Sequence, residues 1–221
     1  MTLATAVLLN GEDLTVDDVW RVAVGGEAAE LSDDAREKMD SARAVVERAA
    51  SQASGEHTYG INTGFGRFVS RSIPPELSEE LQLRLLRSHA CGVGEPYPDE
   101  VVRGAMVLRA NALAKGYSGA RVETVELLLE CLNRGVLPYV PARGSVGASG
   151  DLAPLAHLAL VLVGEGEATV GDDTRVLWSV RDGPSWTATG SRARRRSLMR
   201  ASSRSGCKRR RGSRSSTGRS S

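Results

Sequence analysis

One short loop of the 221-residue chain combines residues that could do chemistry with a backbone that could bend sharply. Residues 144–151 read GSVGASGD and are followed at once by LAPLAH. The simplest interpretation is a flexible entry to a helix, with Ser149 or Asp151 as its N-cap. A serine nucleophile would need a nearby base and a GxSxG turn after a strand, and no clear strand precedes GASGD. A phosphate-binding loop would need the lysine of the GxxxxGK pattern, which this loop lacks.

Two further segments carry side chains suited to proton transfer or hydrogen bonding. Residues 57–66 read HTYGINTGFG, an ordered loop with three glycines around Tyr59. A phenol is a poor base near neutral pH unless its surroundings stabilise the phenolate, so an exposed loop tyrosine is the simpler interpretation by itself. Residues 88–94 read SHACGVG, in which His89 could bind an imidazole or simply complement the end of a helix.

Taken together, these segments resemble the histidine, phenylalanine and tyrosine ammonia-lyase and aminomutase family. The resemblance extends over roughly residues 8–170 and includes the stretches RANALAKGYSGAR, LNRGVLPYVPARG and GEGEA. In that family an Ala-Ser-Gly tripeptide cyclises and loses water to form an electrophilic methylidene-imidazolone (MIO). The resemblance implies that Ala148, Ser149 and Gly150 form this group, without any metal.

Small residues suit such a cyclisation. For the Gly150 nitrogen to reach the Ala148 carbonyl, the backbone must fold into a tight, strained turn that β-branched residues would hinder. A helix that begins near Asp151 would direct its N-terminal dipole at negative charge on the new ring. The resemblance further implies that Tyr59 takes the β-proton of the substrate and that His89 contacts the substrate side chain.

The Ser88-His89 pair resembles histidine lyases within the family. The reaction that this resemblance implies is the non-oxidative elimination of ammonia from L-histidine to give trans-urocanate, in a homotetramer. Tyrosine or phenylalanine lyases and aminomutases stay open as alternatives, because tyrosine aminomutases can share the pair.

The elements that must position these loops are predicted to be mostly helices. Helix starts are predicted at Thr15, Ser32, Pro74 and Pro98. Gly116 and Gly135 are predicted to end two helices, and the apolar residues 151–164 are predicted to form a buried one. The expected fold class is therefore mainly α. With the resemblance, it is the MIO-bearing N-terminal domain of the ammonia-lyase (fumarase/aspartase-like) fold, truncated before its long central helix bundle.

Charge divides the chain into two parts. Residues 1–175 carry 16 Lys and Arg against 26 Asp and Glu, whereas residues 176–221 carry 13 basic residues and one acid. The first part is the expected truncated lyase domain. The second contains 12 Arg and 12 Ser and is expected to be a disordered, non-family tail. A basic nucleic-acid-binding module is the alternative from another functional class, and the scarcity of aromatic residues in the tail disfavours it.

Cysteine use and hydropathy exclude other protein classes. Three widely spaced cysteines without a CxxC pair argue against a disulfide framework or a zinc site. No stretch approaches the roughly 18 apolar residues that a membrane span needs. We therefore expect a cytoplasmic protein that does not bind a membrane.

The tail is predicted to be a frameshift product. With permitted codons, residues 210–218 (RRGSRSSTG) can be read one base earlier as KEGLALING, which resembles a hallmark segment of the family. That segment carries an active-site asparagine in the family, so the 221-residue chain by itself is expected to fold poorly and to release no ammonia. Sequencing codons 170–221 tests the prediction. We expect a family-like peptide in the neighbouring frame, and its absence would rule the frameshift out.

Overall fold

The computed structural model describes residues 6–51, 58–146, 150–170 and 174–177. Helices dominate these residues, which confirms the predicted mainly α fold class. The helices are α1 (Val16–Ala23), α2 (Asp33–Ser51), α3 (Pro75–His89), α4 (Asp99–Ala114), α5 (Val122–Asn133) and α6 (Leu152–Leu162). The strands are β1 (Val7–Leu9), β2 (Ala29–Leu31), β3 (Val93–Pro96), β4 (Val136–Pro138), β5 (Pro141–Arg143), β6 (Glu167–Val170) and β7 (Thr174–Leu177).

The predicted helix starts at Thr15 and Ser32 are confirmed by their caps. The Thr15 hydroxyl accepts the Asp18 N–H at 3.2 Å, and the Asp18 carboxylate accepts the Thr15 N–H at 3.1 Å. This reciprocal pair is a capping box for α1. The Ser32 hydroxyl accepts the Ala35 N–H at 3.2 Å at the start of α2. Between the two helices, β2 returns to lie parallel to β1, with Val7 opposite Ala29.

The two predicted helix ends are also confirmed. Gly116 follows α4 with φ +75° and Gly135 follows α5 with φ +67°. Both angles lie in the left-handed region that glycine adopts at little cost, which lets the chain leave each helix abruptly.

The sequence shows no clear strand before GASGD, and the structure corrects this interpretation, because β5 ends directly before the glycine-rich loop. β4 pairs antiparallel with β6, which pairs with β7, while β5 pairs antiparallel with β3. The strands are three or four residues long and prolines stand at positions 138 and 141. Such short, proline-bounded strands leave no alternating pattern in the sequence to detect.

The hydrophobic core centres on α4. Met106, Val107, Ala110 and Ala114 of this helix have no exposed surface. They pack among α1, α2, α5 and β4. Among the residues that the structure describes, no helix is long and apolar enough to cross a membrane.

Helix α6 is less enclosed than its sequence predicted. Ala156 and Val161 are buried, but Leu152 is 52% exposed. Within the described residues, one side of this almost wholly apolar helix therefore has no cover. An apolar helix sequence predicts that the helix is buried, but it does not identify the residues that pack against it.

The expected division of the chain after residue 175 falls inside β7. Residues 178–221 lie outside the described residues, so the predicted disorder of the tail stays a prediction.

Arg103 of α4 joins the carboxyl ends of two neighbouring helices. Its guanidinium donates to the Val22 carbonyl of α1 at 2.8 and 3.1 Å, and to the Leu132 carbonyl of α5 at 3.1 Å. Carbonyls in the last turn of a helix have no partner inside that helix, and a cation is favourable there. The half-buried Arg103 therefore satisfies groups that the surrounding core would otherwise separate from water, although burial lowers the pKa of its guanidinium.

Arg103→Met should lower the free energy of unfolding by about 1–3 kcal/mol, because the Val22 carbonyl loses its guanidinium donors and the Leu132 carbonyl is left with backbone donors such as the Gly135 N–H, while the side chain keeps similar length. Urea unfolding of the 221-residue chain measures the change. Arg109→Met on the exposed side of the same helix is the matched control and should change stability by about 0.5 kcal/mol or less. Equal effects of the two substitutions would contradict this role for Arg103.

Candidate active site

The glycine-rich loop connects β5 to α6. Residues 144–146 and Gly150 are described, whereas Ala148 and Ser149 lie outside the described residues. Gly150 has φ +80°, and no atom of the described residues beyond its chain neighbours lies within 4 Å of the position that a Cβ would take. The loop thus ends in a conformation that favours glycine, with open space beside it.

Asp151 also adopts a left-handed conformation, with φ 54° and ψ 51°. It is the one non-glycine residue with positive φ in the described ranges. For most side chains such a backbone costs roughly 1–2 kcal/mol, although aspartate tolerates it better than most. Two consecutive left-handed residues turn the chain sharply just before α6.

Asp151 stands at the N-cap position of α6, as one of the sequence interpretations has it, but its side chain does not cap the helix. A capping side chain normally extends from a β-region backbone, which Asp151 lacks. Instead, its carboxylate accepts a hydrogen bond from the Ser145 hydroxyl. Ser145 and Asp151 flank the undescribed residues 147–149, so this bond joins the two ends of the loop.

The start of the loop rests on the segment that follows α3. A Cβ on Gly144 would lie 2.9 Å from the Gly92 Cα and 3.4 Å from the Ala153 Cβ. The first of these distances is shorter than real Cβ contacts allow, so the close approach requires glycine at position 144. β3 and β5 extend the contact, with Val93 opposite Arg143.

His89 ends α3, three residues before Gly92. Its Nδ1 lies 2.9 Å from the Leu85 carbonyl oxygen and 3.0 Å from the Ser88 hydroxyl. A carbonyl can only accept, so we assign the proton to Nδ1, where it bonds the helix's own last turn. A neutral ring in this tautomer presents Nε2 as a hydrogen-bond acceptor. The predicted substrate-binding residue thus lies on a segment that contacts the candidate MIO loop.

His157 of α6 contacts the segment that follows α3 at Gly92. The Gly92 N–H donates to His157 Nε2 at 3.0 Å. Burial lowers the pKa of the half-buried imidazole, and Glu167 on β6 partly opposes this effect. Arg87 near the end of α3 also pairs with Glu165, directly after α6, with Nε 2.9 Å from a carboxylate oxygen. The Gly92–His157 and Arg87–Glu165 contacts therefore connect the C-terminal end of α3 with α6.

Tyr59, the predicted base, is described in a different setting. It is 60% exposed and its ring meets that of Phe65 edge to face, with the centroids 5.9 Å apart. With Gly60 and Ile61 it lines an open groove of about 1730 Å³ bordered by α2, the start of α3 and residues 115–121. Of the described residues, neither His89 nor Gly150 lines this groove. The predicted role of Tyr59 stays a prediction.

The loop around Tyr59 is ordered by its own hydrogen bonds, as its sequence indicates. Asn62 accepts the Thr58 N–H through its side chain at 2.7 Å, and its carbonyl accepts the Ile73 N–H at 2.8 Å. Thr63 is buried. These contacts fix residues 58–73 as one unit that carries Tyr59.

Sequence reasoning missed three residues that build this site: Gly92, Ser145 and His157. A signal existed for His157, which is the single polar side chain of α6. Gly92 and Ser145 carry no such signal, because their roles depend on contacts between distant segments.

Comparison with known proteins decides the family. The model of the aromatic amino acid lyase family matches residues 14–182. The chain belongs to the aromatic amino acid lyase family. Relatives within this lyase family include a histidine ammonia-lyase from Gloeobacter violaceus, 57% identical over 167 residues, which are 76% of this chain and 32% of the relative. The chain thus spans about a third of the length of the curated relatives that it matches.

Solved structures of lyase-family members share the fold. A histidine ammonia-lyase from Trypanosoma cruzi is 44% identical with a TM-score of 0.69, over 76% of this chain and 32% of that one. A tyrosine aminomutase from Streptomyces globisporus is 36% identical with a TM-score of 0.72, over 78% and 32%. These matches confirm the resemblance seen in the sequence.

The described residues contain neither a cluster of metal ligands nor a disulfide. No group of three His, Cys, Asp or Glu side chains within those residues could hold a metal ion. Cys91 and Cys131 are free thiols, and burial raises the pKa of the Cys131 thiol to about 11.

The contact between Gly144 and Gly92 gives a sharp prediction. Gly144→Ala should lower the free energy of unfolding by about 1–3 kcal/mol, because the new methyl group would meet backbone at 2.9 Å. Gly104→Ala in α4 is the matched control. Its Cβ would meet no atom closer than 3.8 Å, so it should raise stability by about 0.4–1 kcal/mol. Urea unfolding of both variants compares the two, and the same sign of change in each would contradict the contact.

Proposed function

We propose that the whole protein to which this chain belongs is a histidine ammonia-lyase, which eliminates ammonia from L-histidine to give trans-urocanate. The observation that carries the proposal is the placement of His89. Its Nδ1 bonds the Leu85 carbonyl at 2.9 Å, and the chain three residues later supports the candidate MIO loop. An acceptor nitrogen thus stands on a segment that adjoins the reactive loop.

The chemistry of His89 favours an aromatic side chain with a polar hydrogen. The N–H of a substrate imidazole can donate to His89 Nε2. A phenylalanine ring offers no donor and would leave this nitrogen unpaired, which costs binding free energy. The phenol of tyrosine could donate as well. Histidine is preferred over tyrosine because the histidine ammonia-lyases compared are 57% and 44% identical, against 36% for the tyrosine aminomutase.

The described residues fit formation of the MIO group from Ala148, Ser149 and Gly150. Gly150 is already left-handed at φ +80°, with open space where a side chain would be. Gly144 anchors one end of the loop and Asp151 the other. This arrangement holds the loop ends while leaving room for the bent backbone that attack of the Gly150 nitrogen on the Ala148 carbonyl requires.

When formed, the MIO supplies an electrophile that activates the substrate, at its amine or its ring. The chain's own residues have simpler tasks. His89 orients the side chain, and Tyr59 accepts the β-proton while the carbon–nitrogen bond breaks and its electrons leave with ammonia. The electrons of the broken C–H bond form the carbon–carbon double bond of urocanate. The N-terminus of α6, directly after Asp151, directs backbone N–H groups toward negative charge at the loop.

We propose that later segments of the whole protein and neighbouring subunits of a homotetramer complete the site. Three large apolar side chains near the loop are exposed: Val93 at 64%, Val146 at 88% and Leu152 at 52%. Exposed apolar groups concentrated at a reactive loop indicate a surface that is covered in the complete assembly. We propose a small-molecule substrate, no membrane partner and a cytoplasmic location, and no role in binding nucleic acid.

The proposal is tested by assaying the enzyme that is encoded when the predicted frameshift is corrected and the neighbouring reading frame is restored. Incubated separately with histidine, tyrosine and phenylalanine, it should release ammonia with histidine and produce the ultraviolet absorbance of urocanate. His89→Leu should lower kcat/KM for histidine about 10- to 100-fold, because the substrate imidazole loses its hydrogen-bond acceptor. Ser149→Ala cannot form the electrophile and should abolish turnover.

Two outcomes would contradict this assignment, and a third would overturn the predicted inactivity of the 221-residue chain. Faster turnover of tyrosine, to coumarate or to a β-amino acid, would identify the tyrosine lyase or the aminomutase instead. Unchanged kcat/KM in His89→Leu would show that His89 does not bind the substrate. Ammonia released by the 221-residue chain itself would show that the later segments are dispensable.

A further inference from the structure

His157 occupies a central position between the two parts of the candidate site. It lies in the second turn of α6, the helix that begins just after the Ala-Ser-Gly tripeptide. Its Nε2 accepts the Gly92 N–H at 3.0 Å, so this nitrogen carries a lone pair and the ring proton belongs on Nδ1. One side chain thereby links the helix of the reactive loop to the segment that carries His89.

Gly92 is enclosed on several sides by this arrangement. A Cβ at Gly92 would lie 3.0 Å from His157 Nε2 and 3.2 Å from the Pro141 Cβ. On another side, the position of a Gly144 Cβ is 2.9 Å from the Gly92 Cα. Any shift of the Gly92 backbone is therefore transmitted both to the loop that starts at Gly144 and to His89.

We propose that His157 is a positioning residue, which holds the His89 segment and the start of the MIO loop in a fixed relation through its hydrogen bond to Gly92. The importance of this relation for catalysis rests on the proposed lyase function. The hydrogen bond and its effect on the position of His89 do not depend on that function. His157 is proposed to act through Gly92 and not by contact with the substrate.

The alternative is that His157 merely fills space in the packing of α6. Two substitutions separate these roles. Leucine has a comparable volume and cannot accept a hydrogen bond, whereas the Oε1 of glutamine can reach a similar point and accept the Gly92 N–H. Val161→Ala, at a buried position on the same helix, loosens the packing without touching Gly92 and serves as the control.

Protonation provides a second distinction, because an imidazolium has no acceptor. Burial is the main cause that lowers the pKa of His157 from its ordinary value of 6.5, and Glu167 of β6 is the facing charged group that raises it. A folded pKa below the unfolded one favours the neutral ring. The stabilisation is complete above about pH 6.5 and is lost as the pH falls through the folded pKa. Glutamine does not titrate, so its bond to Gly92 should not follow this profile.

The experiment measures amide hydrogen exchange at Gly92 and the side-chain nitrogen signals of 15N-labelled histidine in the 221-residue chain. The chain has three histidines, so single substitutions assign each signal. In the parent chain, the His157 signals should show a neutral ring protonated at Nδ1. His157→Leu should lower the Gly92 protection factor about tenfold and shift the His89 signals, because the loss of one hydrogen bond releases the segment.

His157→Gln should keep Gly92 protection within about threefold of the parent and leave the His89 signals in place. Below pH 6.5, protection corrected for intrinsic exchange should fall in the parent and stay level in His157→Gln. Val161→Ala should lower global stability while leaving Gly92 locally protected relative to its neighbours.

Several results would overturn the positioning role. These are an unprotected Gly92 in a parent chain whose α4 core amides are protected, full protection in His157→Leu, equal losses in the leucine and glutamine variants, or a pH-independent parent. An equal local loss in Val161→Ala would show that general loosening is responsible. No substrate is present, so a failed lyase assignment leaves these results unaffected. Conversely, an active histidine lyase with an unprotected Gly92 would refute the positioning role alone.

Discussion

The close packing of two backbone segments at Gly92 and Gly144 is the constraint on which the candidate site depends. With a Cβ on Gly144 the segments could not approach this closely, since 2.9 Å would separate that atom from the Gly92 Cα. Because β3 and β5 continue the contact, His89 and the reactive loop are placed together by main-chain geometry rather than by flexible side chains. Helices α3 and α6 adjoin this contact, and the bonds from Gly92 to His157 and from Arg87 to Glu165 join the segments that carry them.

The loop is sharply bent at its described end, directly before α6. Gly150 and Asp151 are both left-handed, and the Ser145 hydroxyl holds the Asp151 carboxylate across the loop. Local strain of this kind persists only where the neighbouring structure enforces it. Here α6 holds one end of the loop and the Gly92 contact holds the other. A cyclisation that must bring a backbone nitrogen onto a carbonyl two residues away would therefore begin from a chain that is already sharply turned.

Local features of the fold were predictable from the sequence, and long-range contacts were not. Thr15 and Ser32 mark helix starts because their side chains cap the first turn. Gly116 and Gly135 mark helix ends because glycine adopts the left-handed backbone conformation at little cost. These signals lie within a few residues of the feature that they predict. The strands β4 and β5, in contrast, form because partners from elsewhere in the chain reach them.

The same distinction holds for the site. The tripeptide and His89 were predicted as site residues because their residue types suggest chemistry and match a family pattern. His157 and Gly92 act through geometry, which becomes visible only when α3 and α6 are seen side by side. Tyr59 illustrates the remaining limit of motif reasoning, since its loop is ordered as predicted but borders a groove that His89 and Gly150 do not line.

Formation of the MIO group is measured most directly by the mass of the proteolytic fragment that contains residues 144–151, released from the purified protein that is encoded when the neighbouring reading frame is restored. Cyclisation of Ala148, Ser149 and Gly150 removes two water molecules, one on ring closure and one from the serine side chain. The account predicts a fragment lighter than the encoded peptide by those two waters, and a fragment of full encoded mass from Ser149→Ala. The full encoded mass in that protein without the substitution, with its helices folded by circular dichroism, would contradict it.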